Sequence, residues 1–309
     1  MEPGWPRIAV LIPTYRRRED LKRCLSAVER QSRPADQIIV VVRSEDPESH
    51  QVLAELDSRR LTVVHVAAPG VVAALNTGLG AVRADVVAFT DDDAAPRPEW
   101  LQRITEHFRA DPTLGGVGGR DWIYQHGRLE SGTKKVVGVI TWYGRCIGNH
   151  HLGTGPIREV DALKGVNMSF RVSALEGVRF DERLRGTGAQ VFNELGVSLA
   201  VKRKGWKLTY DPELAVDHYP SVRHDEDRRN HFSVAAVSNA AHNETLLLAE
   251  HFGPARRCFF LLWAFGVGTH AAPGLVNWLR LLMLERRTAT ARFVAAISGR
   301  LSGWGAGQC

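Results

Sequence analysis

The first third of the chain alternates short apolar runs with segments of helical period, and that alternation admits few folds. Ile8 to Ile12 reads as a strand. From Arg17 to Gln31, Leu21, Cys24, Leu25 and Val28 recur at helical spacing and share one face. Ile38 to Val42 reads as a second strand, Pro47 suits the first turn of a helix carrying Val52, Leu53 and Leu56 inward, and Leu61 to Val66 reads as a third strand. A helix from Val71 to about Val82 precedes a fourth strand, Asp85 to Thr90. Four such units wind with right-handed crossovers into an α/β fold, a mostly parallel twisted sheet flanked by helices. Its ligands are expected outside the carboxyl ends of the strands.

That edge carries the strongest chemical signal in the chain. Asp91-Asp92-Asp93 closes the fourth strand, and three adjacent carboxylates repel one another unless a counter-charge such as Mg2+ or Mn2+ is supplied. A helix cap accounts for one such acid, seldom for three. Pro13-Thr14-Tyr15-Arg16 follows the first strand and Arg43-Ser44-Glu45-Asp46 the second, so three polar loops converge on one edge.

Beyond the triplet, Pro96 and Pro98 mark a turn, and Glu99 to Arg109 forms an amphipathic helix with Trp100, Leu101, Ile104 and Phe108 inward. From Leu114 to Val172 the chain is Gly-rich, and less regular structure with mobile loops is expected there. Trp122, Trp142 and Tyr143 in that stretch suit either packing or stacking on a ligand. A helix from Asn193 to Lys204 and a strand around Lys207 to Tyr210 follow. The sheet domain is expected to end near Pro220, giving residues 1–222 as one domain and 223–309 as a helical extension.

Within that extension, Cys258 to Leu279 contains no Asp, Glu, Lys or Arg, close to the ~20 apolar residues that cross a bilayer. Pro273, Gly274 and Asn277 interrupt it, and Arg256, Arg257, Arg280, Arg286 and Arg287 flank both ends. A bend lying on or dipping into the membrane is expected, with a hairpin buried against the sheet as the alternative.

The formal net charge of +6 is spread without a basic stripe, so no nucleic-acid partner is expected. Cys24, Cys146, Cys258 and Cys309 are too scattered for a disulfide framework or a zinc knuckle. With no apolar leader near Met1, the expected location is cytoplasmic, at the inner face of a membrane.

These residues together resemble the inverting glycosyltransferases of family 2, which have the GT-A fold. Ile12-Pro13-Thr14-Tyr15-Arg16 resembles the opening strand and nucleotide loop, Gly70, Ala74, Asn76 and Gly78 the G-x-x-x-A-x-N-x-G helix, and Asp91 to Asp93 the D-x-D motif. Gly165 to Arg171 and Phe180-Asp181-Glu182 extend the likeness to about Pro220. Counting back from Gly205-Trp206, Glu194 occupies the second position of the family's E-D pair and Asn193 replaces its Glu.

The resemblance implies a nucleotide-diphospho-sugar donor, a glycan or lipid-linked hydroxyl acceptor and a divalent cofactor, Mg2+ or Mn2+. Asp91, Asp93 and His218 are implied as metal ligands. Pro13, Thr14, Tyr15, Arg16, Asn76, Asp91 and Asp92 are implied at the nucleotide-sugar, Arg43 at phosphate, and Asp46 or Glu45 at the base in place of the usual Asp-Asp-Gly-Ser acid. Gly165, Asn167 and Asn193 are implied on the acceptor side, and Glu194 is the implied general base. A dehydrogenase would need G-x-G-x-x-G after the first strand, and a nucleotidyltransferase a Gly-rich basic loop; neither is present. A degenerate transferase serving as a membrane scaffold is the alternative that Asn193 and the altered second loop leave open.

Overall fold

The computed structural model describes residues 4–56, 59–125, 127–223, 226–227, 231–285 and 287–307; Arg286 and Cys309 lie outside them. In chain order the elements are β1 (Ile8–Thr14), α1 (Arg18–Glu29), β2 (Gln37–Arg43), α2 (Pro47–Ala54), β3 (Leu61–Val66), α3 (Val71–Gly80), β4 (Val86–Phe89) and β5 (Ala94–Pro96). There follow α4 (Trp100–Ala110), β6 (Leu114–Gln125), β7 (Arg128–Leu129), β8 (Val139–Ile140), β9 (Cys146–Ile147), β10 (Arg158–Glu159), β11 (Met168–Arg171), α5 (Asn193–Arg203) and β12 (Lys207–His218). The helices α6 (Val234–His251), α7 (Pro254–Gly266), α8 (Leu275–Leu284) and α9 (Ala289–Ala306) complete the chain.

The main sheet runs β10-β12-β6-β11-β4-β1-β2-β3, with β5 on β12 and β7 on β6. β4, β1, β2 and β3 are parallel neighbours, as the alternating pattern requires, while β11 enters antiparallel between β4 and β6. Each β1 side chain from Ile8 to Ile12 is buried, because helices cover both faces and leave no solvent side. α2 stops at Ala54, so Leu56 falls past the helix end and is exposed instead of inward.

The largest departure from expectation is the Gly-rich stretch. β6 is a twelve-residue strand in the middle of the sheet, although glycine in a strand forfeits packing and entropy. Its neighbours explain it: a Cβ on Gly119 would lie 1.7 Å from the Leu214 carbonyl oxygen, and one on Gly118 2.7 Å from that of Asn167. The missing side chains let β12 and the turn before β11 close onto β6. β12 likewise runs on past Tyr210 to His218, its register against β6 shifting between Asp211 and Ala215.

Leu246, Leu247, Leu248 and Phe252 of α6 and its C-cap join Phe89, Phe170, Phe180 and Leu195 in one apolar cluster beneath the sheet. Phe260 and Ala264 of α7 belong to the same cluster, so one side of that helix is buried and the other is not. Among the described residues no helix is long and apolar enough to cross a membrane.

Candidate active site

Where β4 gives out, the chain passes through Asp91, Asp92 and Asp93 into β5, and the three acids part company. Ligand atoms of Asp91, Asp93 and His218 lie within 4.8 Å of one another. The pairing of β5 with β12 sets His218 opposite Ala94 and so beside Asp93; the Tyr219 amide donates to the Asp93 carbonyl at 2.8 Å, and the Ser221 amide to Asp93 Oδ2 at 2.9 Å.

 Asp93 and His218 are therefore distant in the chain and adjacent in the fold, with Asp93 Oδ1 3.4 Å from His218 Nε2. Asp92 turns the other way. Its two oxygens accept from Thr14 Oγ1 at 2.9 Å and Arg17 Nη1 at 2.7 Å, and the side chain is buried.

The charges around this cluster are mutually dependent. Burial alone would raise Asp93, but His218 and Arg17 and the Ser221 amide hold it well below the usual carboxylate range. Burial would likewise lower His218, and Asp121 and Asp93 on either side overcome that and raise it to about 9. Asp121 sits behind the ring, its Oδ2 3.4 Å from His218 Nδ1 and paired with Lys164. A carboxylate on the second ring nitrogen is the arrangement that orients a metal-ligating histidine.

Glu194 is the second residue of α5. The loop before it holds non-glycine residues at positive φ, Gln190 at 40° and Phe192 at 73°, a strained backbone kept in place by its contacts. Gln190 Oε1 accepts from the Val72 amide at 3.0 Å and its Nε2 donates to the Leu184 carbonyl at 2.9 Å, tying the loop to α3. Gly70, at φ 100°, is needed there, since a Cβ would lie 2.3 Å from Gln190 Oε1. Burial pushes the Glu194 carboxyl up, Asp91 adds to that, and Lys164 and Arg223 oppose it. Glu194 thus feels the same charges as the acidic cluster.

The other residues named from the sequence divide into those at this edge and those turned into the fold. Tyr15 lies there with the guanidinium carbons of Arg16 and Arg43 5.1 and 5.2 Å from its ring centre. Pro13 is half-buried at the end of β1, and a Cβ on Gly165 would meet open space. Asp46 is fully buried: it caps α2 through the Ser49 amide and hydroxyl and accepts from the Arg16 amide at 2.6 Å. Asn76 clasps the backbone of Phe180 through two hydrogen bonds, 2.9 and 3.0 Å.

Asn167 is buried and crosslinks Trp100 Nε1 with the Arg120 and Leu214 carbonyls. Asn193 donates to the Ala189 and Gln190 carbonyls, bracing the turn. Trp142 and Tyr143 pack on Phe259 and Trp263 of α7, and Trp122 lies between Arg97 and Arg120. Sequence reasoning missed Arg17, Asp121 and Lys164. Arg17 directly follows the first loop and supplies a counter-charge to the triplet; Asp121 sits in the Gly-rich run, where short strand candidates and less regular structure are expected and a long strand is found.

Comparison with known proteins agrees with this architecture. The sequence model of the family described as Glycosyl transferase family 2 matches residues 9–181, more than half of the chain. An uncharacterized glycosyltransferase from Nostoc sp. is 30% identical over 112 residues, 35% of either chain, and several curated relatives are covered over only about a third of their length. A glucosyl-dolichyl phosphate glucuronosyltransferase from Haloferax volcanii is 23% identical over 223 residues, 69% of either chain. A mannosyltransferase from Pyrobaculum calidifontis, solved with GDP-Man and Mn2+, superposes with a TM-score of 0.58 at 17% identity over 97% of this chain and 88% of that one. This chain is a glycosyltransferase of family 2 with the GT-A fold.

Proposed function

We propose that the protein is a metal-dependent inverting transferase that moves a sugar from a nucleotide-diphosphate donor to a hydroxyl acceptor, lipid-linked or part of a growing glycan. The observation that carries this reading is the Asp91, Asp93 and His218 cluster at the carboxyl edge of the sheet, sharing its field with the raised carboxylate of Glu194. Two hard carboxylates and an imidazole suit a borderline ion such as Mn2+ better than Mg2+. When bound, the ion offsets the charge that builds on the departing diphosphate.

The chain's own groups carry the rest. Glu194 takes the proton of the acceptor hydroxyl as that oxygen bonds to the anomeric carbon and the bond to the diphosphate oxygen breaks, a single displacement that inverts the centre. Its raised pKa makes it a stronger base than an ordinary carboxylate. Tyr15, Arg16 and Arg43 form the wall on which the nucleotide lies, with the arginine forks available to phosphate. Residues 1–222 hold this machinery, and the helices after 223 back it. Relatives supply context: the Pyrobaculum protein was solved with GDP-Man and Mn2+, and the Haloferax protein is named for a dolichyl phosphate substrate.

Thermal-shift screening of UDP-, GDP- and dTDP-sugars with and without Mn2+ is expected to find one donor that stabilises only with metal. Glu194→Gln should retain that shift while kcat falls by ~10²–10⁴. Asp93→Ala should lose the metal-dependent shift. Wild-type protein that neither transfers nor hydrolyses any nucleotide sugar would instead support the scaffold reading.

A further inference from the structure

The outer side of the α7–α8 hairpin is apolar, and none of the other described residues covers it. Leu262 of α7 is 66% exposed, and on α8 Leu279, Met283 and Leu284 are 51, 75 and 77% exposed. Leu275, Leu279 and Met283 follow one another at four-residue spacing, which puts them on a single ridge. The β8–β9 turn extends this surface with aromatic rings: Trp142 is 59% exposed and lies 4.5 Å from Phe259, itself on the outer side of α7. Exposed apolar side chains gathered on neighbouring elements in this way mark a binding face.

The charge on it has one sign. From Phe252 to Leu284 the sequence holds no Asp or Glu, while Arg256, Arg257 and Arg280 stand within it. Among the described residues no carboxylate pairs with any of the three, and Arg280 is exposed between the ridge residues. Arg256 is braced against the aromatic turn through the Trp142 and Thr141 carbonyls. Arg257 leans the other way, toward Trp304 of α9, so the charge beside the apolar side chains and the indole is that of Arg256 and Arg280, which matches the layered chemistry of a bilayer surface with anionic headgroups.

We propose that this face docks on an anionic lipid bilayer, lying in the headgroup region without crossing it. The bend between the two helices links that surface to the catalytic loop. Thr269, Ala271 and Ala272 line a cavity of about 360 Å³ that Gln190, Val191 and Phe192, the residues leading into Glu194, also line. An acceptor held at the bilayer surface would therefore lie near the site. This deepens the lipid-linked acceptor reading, so docking is measured without donor, acceptor or metal.

The test is co-sedimentation of the full chain with phosphatidylcholine vesicles, with and without phosphatidylglycerol. Wild-type protein should pellet with the anionic vesicles. Leu279→Glu with Met283→Glu, and separately Arg280→Glu, should each weaken that partition by about tenfold or more at an unchanged thermal midpoint. Because those positions are exposed and remote from the acidic cluster, the metal-dependent donor shift should persist in both variants. Wild-type protein that stays in the supernatant overturns the proposal. So does a wild-type dimer in solution that ignores vesicles and that the double variant dissociates, since the face would then belong to a second copy.

Discussion

Arg17 separates two neighbouring aspartates with different duties. It donates to Asp92 at 2.7 Å and lies 3.5 Å from Asp93, and the field of the aspartates raises its own pKa further despite burial. Arg17→Ala would leave both carboxylates buried beside one another, a loss of about 3 kcal/mol by the usual cost of a broken buried pair. Urea unfolding should show that loss, and Asp92→Asn in the same background should recover part of it by removing the stranded charge. His218 gives a pH dependence of definite sign. In the metal-free protein its pKa rises from 6.5 to about 9, so its contribution to stability is complete below 6.5 and disappears as pH climbs through about 9. Metal needs the neutral ring, so Mn2+ binding near neutral pH should expel a proton and tighten by up to about tenfold per pH unit until about 9. Calorimetry in buffers of different ionisation enthalpy measures that proton directly. At this scale the sequence identified the acidic triplet but not its division, because the direction of a side chain depends on partners that are remote in the chain.

Helix packing depends on glycines whose purpose is invisible along the sequence. A Cβ on Gly299 would lie 2.2 Å from the Ser238 carbonyl oxygen, and one on Gly303 2.3 Å from that of His242, so α9 rests directly on the backbone of α6. Gly303→Ala should cost about 2 kcal/mol, since neither backbone can yield without repacking. Gly305, with nothing within 4 Å of its Cβ position, should respond in the opposite sense, with Gly305→Ala gaining roughly 0.5 kcal/mol from helix propensity. Chemical denaturation of the two variants side by side checks both signs. β6 teaches the same lesson: four glycines at 115, 116, 118 and 119 read as irregular chain, yet they form a central strand because their neighbours occupy the space where side chains would be.

On the scale of the whole molecule, the apolar cluster that joins α6 and α7 to the sheet argues for one cooperative unit. Calorimetry of the full chain should give a single transition, and a chain cut after residue 222 should show none, since the surface that Leu246, Leu247 and Leu248 cover would face water. Two separate transitions would instead favour independent folding of the helical segment. The order of strands β1 to β4, their helices and the acidic edge followed from the sequence alone, because hydrophobic period and turn residues act over a few positions. The meeting of His218 with Asp93, the Asp121 behind it, the inward turn of Asp92, Asp46 and Asn167, and the sharing of one core by sheet and helices were settled only in three dimensions. The meeting of His218 with Asp93 depends on the register of β5 against β12, and the others on contacts between segments far apart in the chain, which a pattern read over a few positions does not contain.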